Sequence, residues 1–191
     1  ELLEEDPKAL AEAARQHGDA TRGAIVFYQQ HLTCTKCHTF GEENSPLGHD
    51  LTKPEKKPED VFLIESVLQP SKEIRKGYET VVVITDDSTF SRGLEAEFRQ
   101  HFALNLGGDI VATVHDELEW WKRKAMDMVN AHQPDAVYVV GHAEHILETL
   151  ELLAEIEYRG VKATTSAVYL AELLESGNPA LEGVFFPLTS L

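Results

Sequence analysis

Val81-Val82-Val83-Ile84-Thr85-Asp86-Asp87-Ser88 is the stretch that decides how the larger part of the chain folds. Four consecutive β-branched residues suit a strand buried on both faces, since their stiff side chains pack well on a pleated surface and offer no polar side to water. The following Thr85-Asp86-Asp87-Ser88 is a turn whose side-chain oxygens can cap a helix running from about residue 90 to 104.

Toward the C-terminus, Gly107-Gly108 breaks that helix and the pattern repeats. A second strand is expected at 110–114, a helix at 118–132, a third strand at 136–140, a helix at 143–158 and, past Gly160, a short strand at 161–164. Strands alternating with helices predict an α/β three-layer lobe with a mainly parallel sheet and right-handed crossovers. Ligands of such sheets bind beyond the carboxyl ends of the strands, which here are the loops at 86–91, 115–117, 141–144 and 165–168.

Toward the N-terminus the character changes near Gly77. The 191-residue chain carries a net charge of -16, which argues against nucleic acid as a partner because phosphate contacts need clustered Lys and Arg. Residues 1–17 hold five acids and two bases, 18–77 nine and eight, and 78–191 nineteen and seven, so the acidity is concentrated in the last part. That asymmetry predicts two modules with different surfaces. With 42% hydrophobic and 26% charged residues the composition is that of a folded globular protein. No apolar run is long enough to span a bilayer, and a chain that begins at Glu1 would show no trace of a removed signal segment.

Residues 1–17 read as a helical or disordered leader. Asp19 is an N-cap candidate for a helix with Ala24, Phe27, Tyr28 and His31 at helical spacing. The stretch Thr33-Cys34-Thr35-Lys36-Cys37-His38 holds the only two cysteines. Two thiols three residues apart with an imidazole next in line suit covalent capture of a porphyrin: Cys34 and Cys37 as thioethers, His38 as the proximal iron ligand. Half of a zinc site, a redox dithiol and a structural disulfide compete with that reading. A zinc site would normally bring a second Cys or His pair, and a thioredoxin-like dithiol would sit between a strand and a helix. After a Gly/Asn/Ser/Pro loop, Pro58-Glu59-Asp60 opens a helix with Val61, Phe62, Ile64, Val67 and Leu68 on one face, and Pro70 stops it.

Gly18-Asp19-Ala20, Arg22-Gly23, Phe27, the cysteine stretch, Gly48-His49-Asp50-Leu51-Thr52, Leu63 through Ser71, and Ile74 with Gly77-Tyr78 together resemble the haem-binding domain of planctomycete and verrucomicrobial cytochromes c. The resemblance implies a small all-α haem domain over 18–78 with one covalent haem c, single-electron transfer, a redox partner protein, and maturation in the periplasm or another extracytoplasmic space. It also implies a Met-Pro segment supplying the distal ligand, which this chain lacks. Distal ligation is left open among His49, His31, Met126, Met128 and no ligand at all.

Residues 79–191 resemble one lobe of the periplasmic solute-binding proteins of the leucine/isoleucine/valine type. The matching text is Val83-Ile84-Thr85-Asp86-Asp87, Phe90-Ser91-Arg92-Gly93-Leu94, Gly107-Gly108-Asp109-Ile110-Val111, Pro134-Asp135-Ala136-Val137-Tyr138, Gly160-Val161-Lys162 and Glu182-Gly183-Val184-Phe185. By that likeness Phe90, His142 and Ser166 face a solute cleft. The family's other lobe has no counterpart in these residues.

Other features have plainer readings. His142 and His145 are loop or N-cap residues before they are metal ligands, Trp120 and Trp121 are rim and core, and Glu148, Glu151, Glu155 and Glu157 are a solvated helix face. Lys36, Lys53, Lys56, Lys57, Lys72, Arg75 and Lys76 are either a docking patch for an acidic redox partner or ordinary surface. No triad, phosphate loop or carboxylate pair argues for hydrolysis. The sequence therefore reads as an electron-carrying c-type cytochrome rather than an enzyme, fused to a solute-binding-type lobe. The alternative is a haem-containing solute or gas sensor.

Overall fold

The computed structural model of the chain describes residues 4–29, 32, 34–38, 41, 50–54, 56–69, 72–74, 76–105, 108–116, 120–166 and 176–186. It divides into two compact units, Glu1–Ile74 and Arg75–Leu191.

The first unit is helical. Helix α1 (Pro7–His17) starts at Asp6, whose carboxylate accepts from the Lys8 amide at 3.1 Å, with Pro7 at the position where a missing N–H costs nothing. It packs on α4 (Asp60–Leu68), and Arg15 ion-pairs with Asp60 at the start of that helix. Residues expected to form a leader thus contribute a capped helix to this unit. Helix α2 (Ala20–Phe27) is capped by Asp19, which accepts from the Arg22 amide at 3.0 Å, and α3 is the single turn Cys34–Cys37.

Burial in this unit is slight. Among its described residues only Ala11 is fully buried, while Ile25, Val26, Tyr28, Leu32, Phe62 and Leu63 are exposed and Val67 is 80% exposed. The expected apolar face of α4 is therefore divided: Val61, Ile64 and Leu68 are half-buried, but Phe62 and Val67 face solvent.

The second unit is an α/β layer structure. Its elements are β1 (Thr80–Thr85), α5 (Thr89–Arg99), a π-helical turn (Gln100–Asn105), β2 (Asp109–His115), α6 (Trp121–His132), β3 (Ala136–Val140), α7 (Ala143–Glu155), β4 (Val161–Thr164), a 3-10 turn (Pro179–Leu181) and β5 (Val184–Phe185). The sheet order is β2-β1-β3-β4-β5 and every neighbouring pair is parallel. Val81, Val82, Val83 and Ile84 are all buried, as their unbroken branched run requires.

The two faces are covered by different helices. Val82, Ile84, Val114, Val137 and Val139 form one core with Trp121, Ala125 and Val129 of α6 and Ile146, Leu150 and Leu153 of α7. On the other face the Phe98 ring of α5 lies 4.4 Å from Tyr138 and 5.1 Å from Phe102. Helices fall on opposite faces because β1 to β2 and β2 to β3 step in opposite directions along the sheet, and crossovers keep one hand. The reversal places a crevice between the carboxyl ends of β1 and β3.

At the opposite edge Asp135 fastens β1 to β3. Its Oδ2 accepts from the amides of Glu79 and Thr80, both at 2.9 Å, and from the Thr80 hydroxyl at 2.8 Å.

Candidate functional site

Among the described residues two places carry groups capable of chemistry, one in each unit. In the first unit Cys34 and Cys37 stand at the two ends of α3, and the His38 amide donates to the Cys34 carbonyl at 3.0 Å, so the imidazole-bearing residue continues the same turn. The Cys34 thiol is free and half-exposed, with Sγ 3.6 Å from the Leu32 carbonyl oxygen. Downstream, Asp50 Oδ1 accepts from the Thr52 hydroxyl at 2.7 Å, the Thr52 amide at 2.8 Å and the Gly41 amide at 3.2 Å, which ties Gly41 to Asp50. Those Thr52 and Gly41 donors, with Lys53, hold the Asp50 carboxyl down at about 2 against the opposing effect of burial.

The distal-ligand candidates His31 and His49 lie outside the described residues, as does the side chain of Cys37. Met126 and Met128 belong to α6 of the second unit and pack against its hydrophobic core. Among the described residues no three His, Cys, Asp or Glu side chains converge as a metal site.

The second place is the carboxyl edge of the sheet, where three strands deliver polar residues. Asp86 leaves β1 and is buried. Its Oδ1 accepts from the Ser88 amide at 3.1 Å and the Ser88 hydroxyl at 2.6 Å; its Oδ2 accepts from the His142 amide at 2.7 Å and faces His142 Nδ1 at 2.8 Å. Burial alone would raise the Asp86 carboxyl, but the bonds from Ser88, Ser91 and His142 prevail and hold it far below the usual carboxylate range. The carboxylate beside Nδ1 holds the ring of the exposed His142 at this edge.

Asp116, just past β2, accepts from the Asp87 amide at 2.9 Å and stands 3.3 Å from Nδ1 of His145. His145, in the first turn of α7, is 7% exposed and lies 4.8 Å from the Trp121 ring. The 3.3 Å approach is within ion-pair reach, yet neither ring nitrogen of His145 is aligned for a hydrogen bond among the described residues. Burial pushes this imidazole below its ordinary value, against the pull of Asp116, Asp86 and Glu148. A third pair, His115 with Glu95 at 3.8 Å, completes the edge.

Of the cleft residues expected from sequence, Phe90 and His142 meet: Phe90 is 56% exposed and its ring centroid is 6.1 Å from that of His142. Ser166 is exposed just past β4, next to Thr165, whose hydroxyl donates to the Gly141 carbonyl at 3.4 Å. His142 occupies the N-cap position of α7, while Trp120 is 53% exposed and Trp121 is buried in the core. The Asp86–His142 and Asp116–His145 pairs were not legible in advance. Their only sequence signals are Asp-Asp-Ser after a strand and a His-x-x-His at a helix start.

No family model and no curated protein matches this chain. Among solved structures it is similar to a fatty acid ABC transporter substrate-binding protein from Thermomonospora curvata, with a TM-score of 0.46 and 15% identity. The match covers 62% of this chain and 31% of that chain, so it spans about a third of that protein's length.

Proposed function

We propose that the first unit carries one covalent haem, attached through Cys34 and Cys37 and ligated by His38, and that the chain passes single electrons in an extracytoplasmic compartment. The observation that carries this reading is the placing of both cysteines on one helical turn with His38 continuing it. Residues three apart on a helix share a face, which is what two bonds to one planar ring require. The donor set suits the group: thiols for the two vinyl positions and an imidazole for iron. Exposed Ile25, Val26, Leu32, Phe62, Leu63 and Val67 give the unit the apolar surface that a porphyrin ring needs for burial. When bound, the iron supplies the one-electron chemistry; the protein attaches, orients and shields it.

The second unit, in this reading, is a solute-binding-type lobe whose cleft is the carboxyl edge at Phe90, His142 and Ser166. The specific observation in its favour is the Phe90–His142 contact at the crevice where the strand order reverses. It supports a second version of the function, in which solute or gas binding is sensed and the haem reports it.

The test is the intact mass of the chain expressed with haem-attachment machinery. Addition of one haem that resists acid-acetone extraction is expected. A colourless product of unmodified mass, or one holding zinc between the thiols, overturns the reading. Carbon monoxide separates its two versions: a reduced spectrum that ignores the gas favours the carrier, and one that shifts favours the sensor.

A further inference from the structure

His145 is a buried imidazole with no hydrogen bond to either nitrogen among the described residues, at the point where the first turns of α6 and α7 meet. Its ring is pressed between Trp121 and Gly141: a Cβ built on Gly141 would stand 2.7 Å from its Cδ2 and 2.9 Å from Asp86 Oδ2. The charged groups around it come from every neighbouring element. Asp116 faces it from the end of β2, Asp86 from the end of β1, and Glu148 from its own helix. The cation on the α6 side is Lys122, which is ion-paired with Glu148 at 3.1 Å and sits 5.7 Å over the Trp121 ring.

A neutral imidazole is tolerated in this slot as an apolar ring; an imidazolium is disfavoured, because its Nε2–H would be held out of water with no acceptor among the described residues and its Nδ1–H would have only the Asp116 carboxylate, 3.3 Å away and poorly aligned. His142, the N-cap of α7, is bonded to Asp86 at the end of β1, so His145 lies in the turn of α7 that follows a residue of the carboxyl edge.

We infer that this contact is an acid-sensitive latch: on protonation the His145 ring leaves the slot against Trp121, and the first turns of α6 and α7 separate at the rim of the carboxyl edge. Hydration of the ring is the driving force. The inference uses the second unit alone and does not depend on haem attachment.

Tryptophan emission tests it in the full chain. Trp120→Phe leaves Trp121 as the single indole. Its emission maximum is expected to move to the red in one step whose midpoint lies below the ordinary imidazole value of about 6.5, with far-UV circular dichroism unchanged. Asp116→Asn moves the midpoint to lower pH, because a charge that favours the imidazolium is gone, and His145→Asn abolishes the step. A flat emission maximum, a step that coincides with loss of dichroism, or one that survives in His145→Asn overturns the latch. Should His145→Asn fail to fold, the ring proton shifts of His145 in the parent must titrate with the Trp121 midpoint; titration at a different midpoint sinks the inference equally.

Discussion

Asp86 Oδ2 receives both the backbone N–H of His142 at 2.7 Å and its ring Nδ1 at 2.8 Å, so one buried carboxylate ties the end of β1 to the start of α7 across 56 residues of sequence. Together with the two Ser88 bonds this makes Asp86 the structural hub of the carboxyl edge.

Asp86→Asn is predicted to lower the stability of the second unit by about 2–3 kcal/mol near neutral pH, since an amide cannot accept all four donors. The sign with pH follows from the depressed carboxyl. The stabilisation is complete above the unfolded carboxyl value of about 3.9 and disappears as pH falls toward the lower folded value. Urea midpoints of parent and variant should therefore converge in acid. A gap that stays constant from neutral pH down to about 2 would contradict this assignment.

Gly141→Ala is predicted to cost about 1–3 kcal/mol by overpacking. The new methyl meets the His145 ring and the Asp86 carboxylate at once, and neither can yield freely: His145 is backed by Trp121 and Asp86 is fixed by its hydrogen bonds. Thermal denaturation reads the loss. An unchanged melting temperature would show that the slot has room the structure denies it.

Why the lobe was legible and its site only partly so is a matter of range. Helix and strand periods are local, and the alternation of Val81–Ile84, 110–114 and 136–140 with two longer apolar-striped segments carries the topology within single windows. Topology then assigns the loops at 86–91 and 141–144 to one edge. It cannot assign the Asp86–His142 bond, which depends on where two side chains 56 positions apart come to rest. Short elements fail for the opposite reason: Val184–Phe185 and Pro179–Leu181 are too brief to show a period. The helix expected to run to residue 104 leaves α-geometry at Arg99 and widens to a π-turn, with no breaker to announce it. In α4, apolar residues occur around much of the helix, so spacing could not tell that Val61 would be half-buried and Val67 exposed.

At the amino edge Thr80 Oγ1 both donates to Asp135 Oδ2 at 2.8 Å and accepts from the Asp135 amide at 3.1 Å. Thr80→Val keeps the β-branched shape and removes both bonds, so a loss of about 1–2 kcal/mol is predicted, with the fold retained. Thr80→Ser should recover most of it. A loss in Thr80→Ser with none in Thr80→Val would assign the effect to packing of the methyl rather than to the hydroxyl.

The cysteine turn yields a prediction that separates attachment from ligation. If the proposed haem is bound, its attachment would need the two thiols, whereas the spectrum of its iron would depend on the imidazole that follows them. In a host competent for covalent haem insertion, the Cys34→Ala, Cys37→Ala double variant should return the unmodified mass and no colour. His38→Ala should still gain the mass of haem but lose the sharp low-spin bands, because both cysteines of α3 remain while the imidazole is gone. Added imidazole should then restore part of the spectrum. Low-spin bands in His38→Ala without imidazole would transfer the proximal role to another residue, and covalent haem in the double-cysteine variant would remove α3 from the attachment altogether.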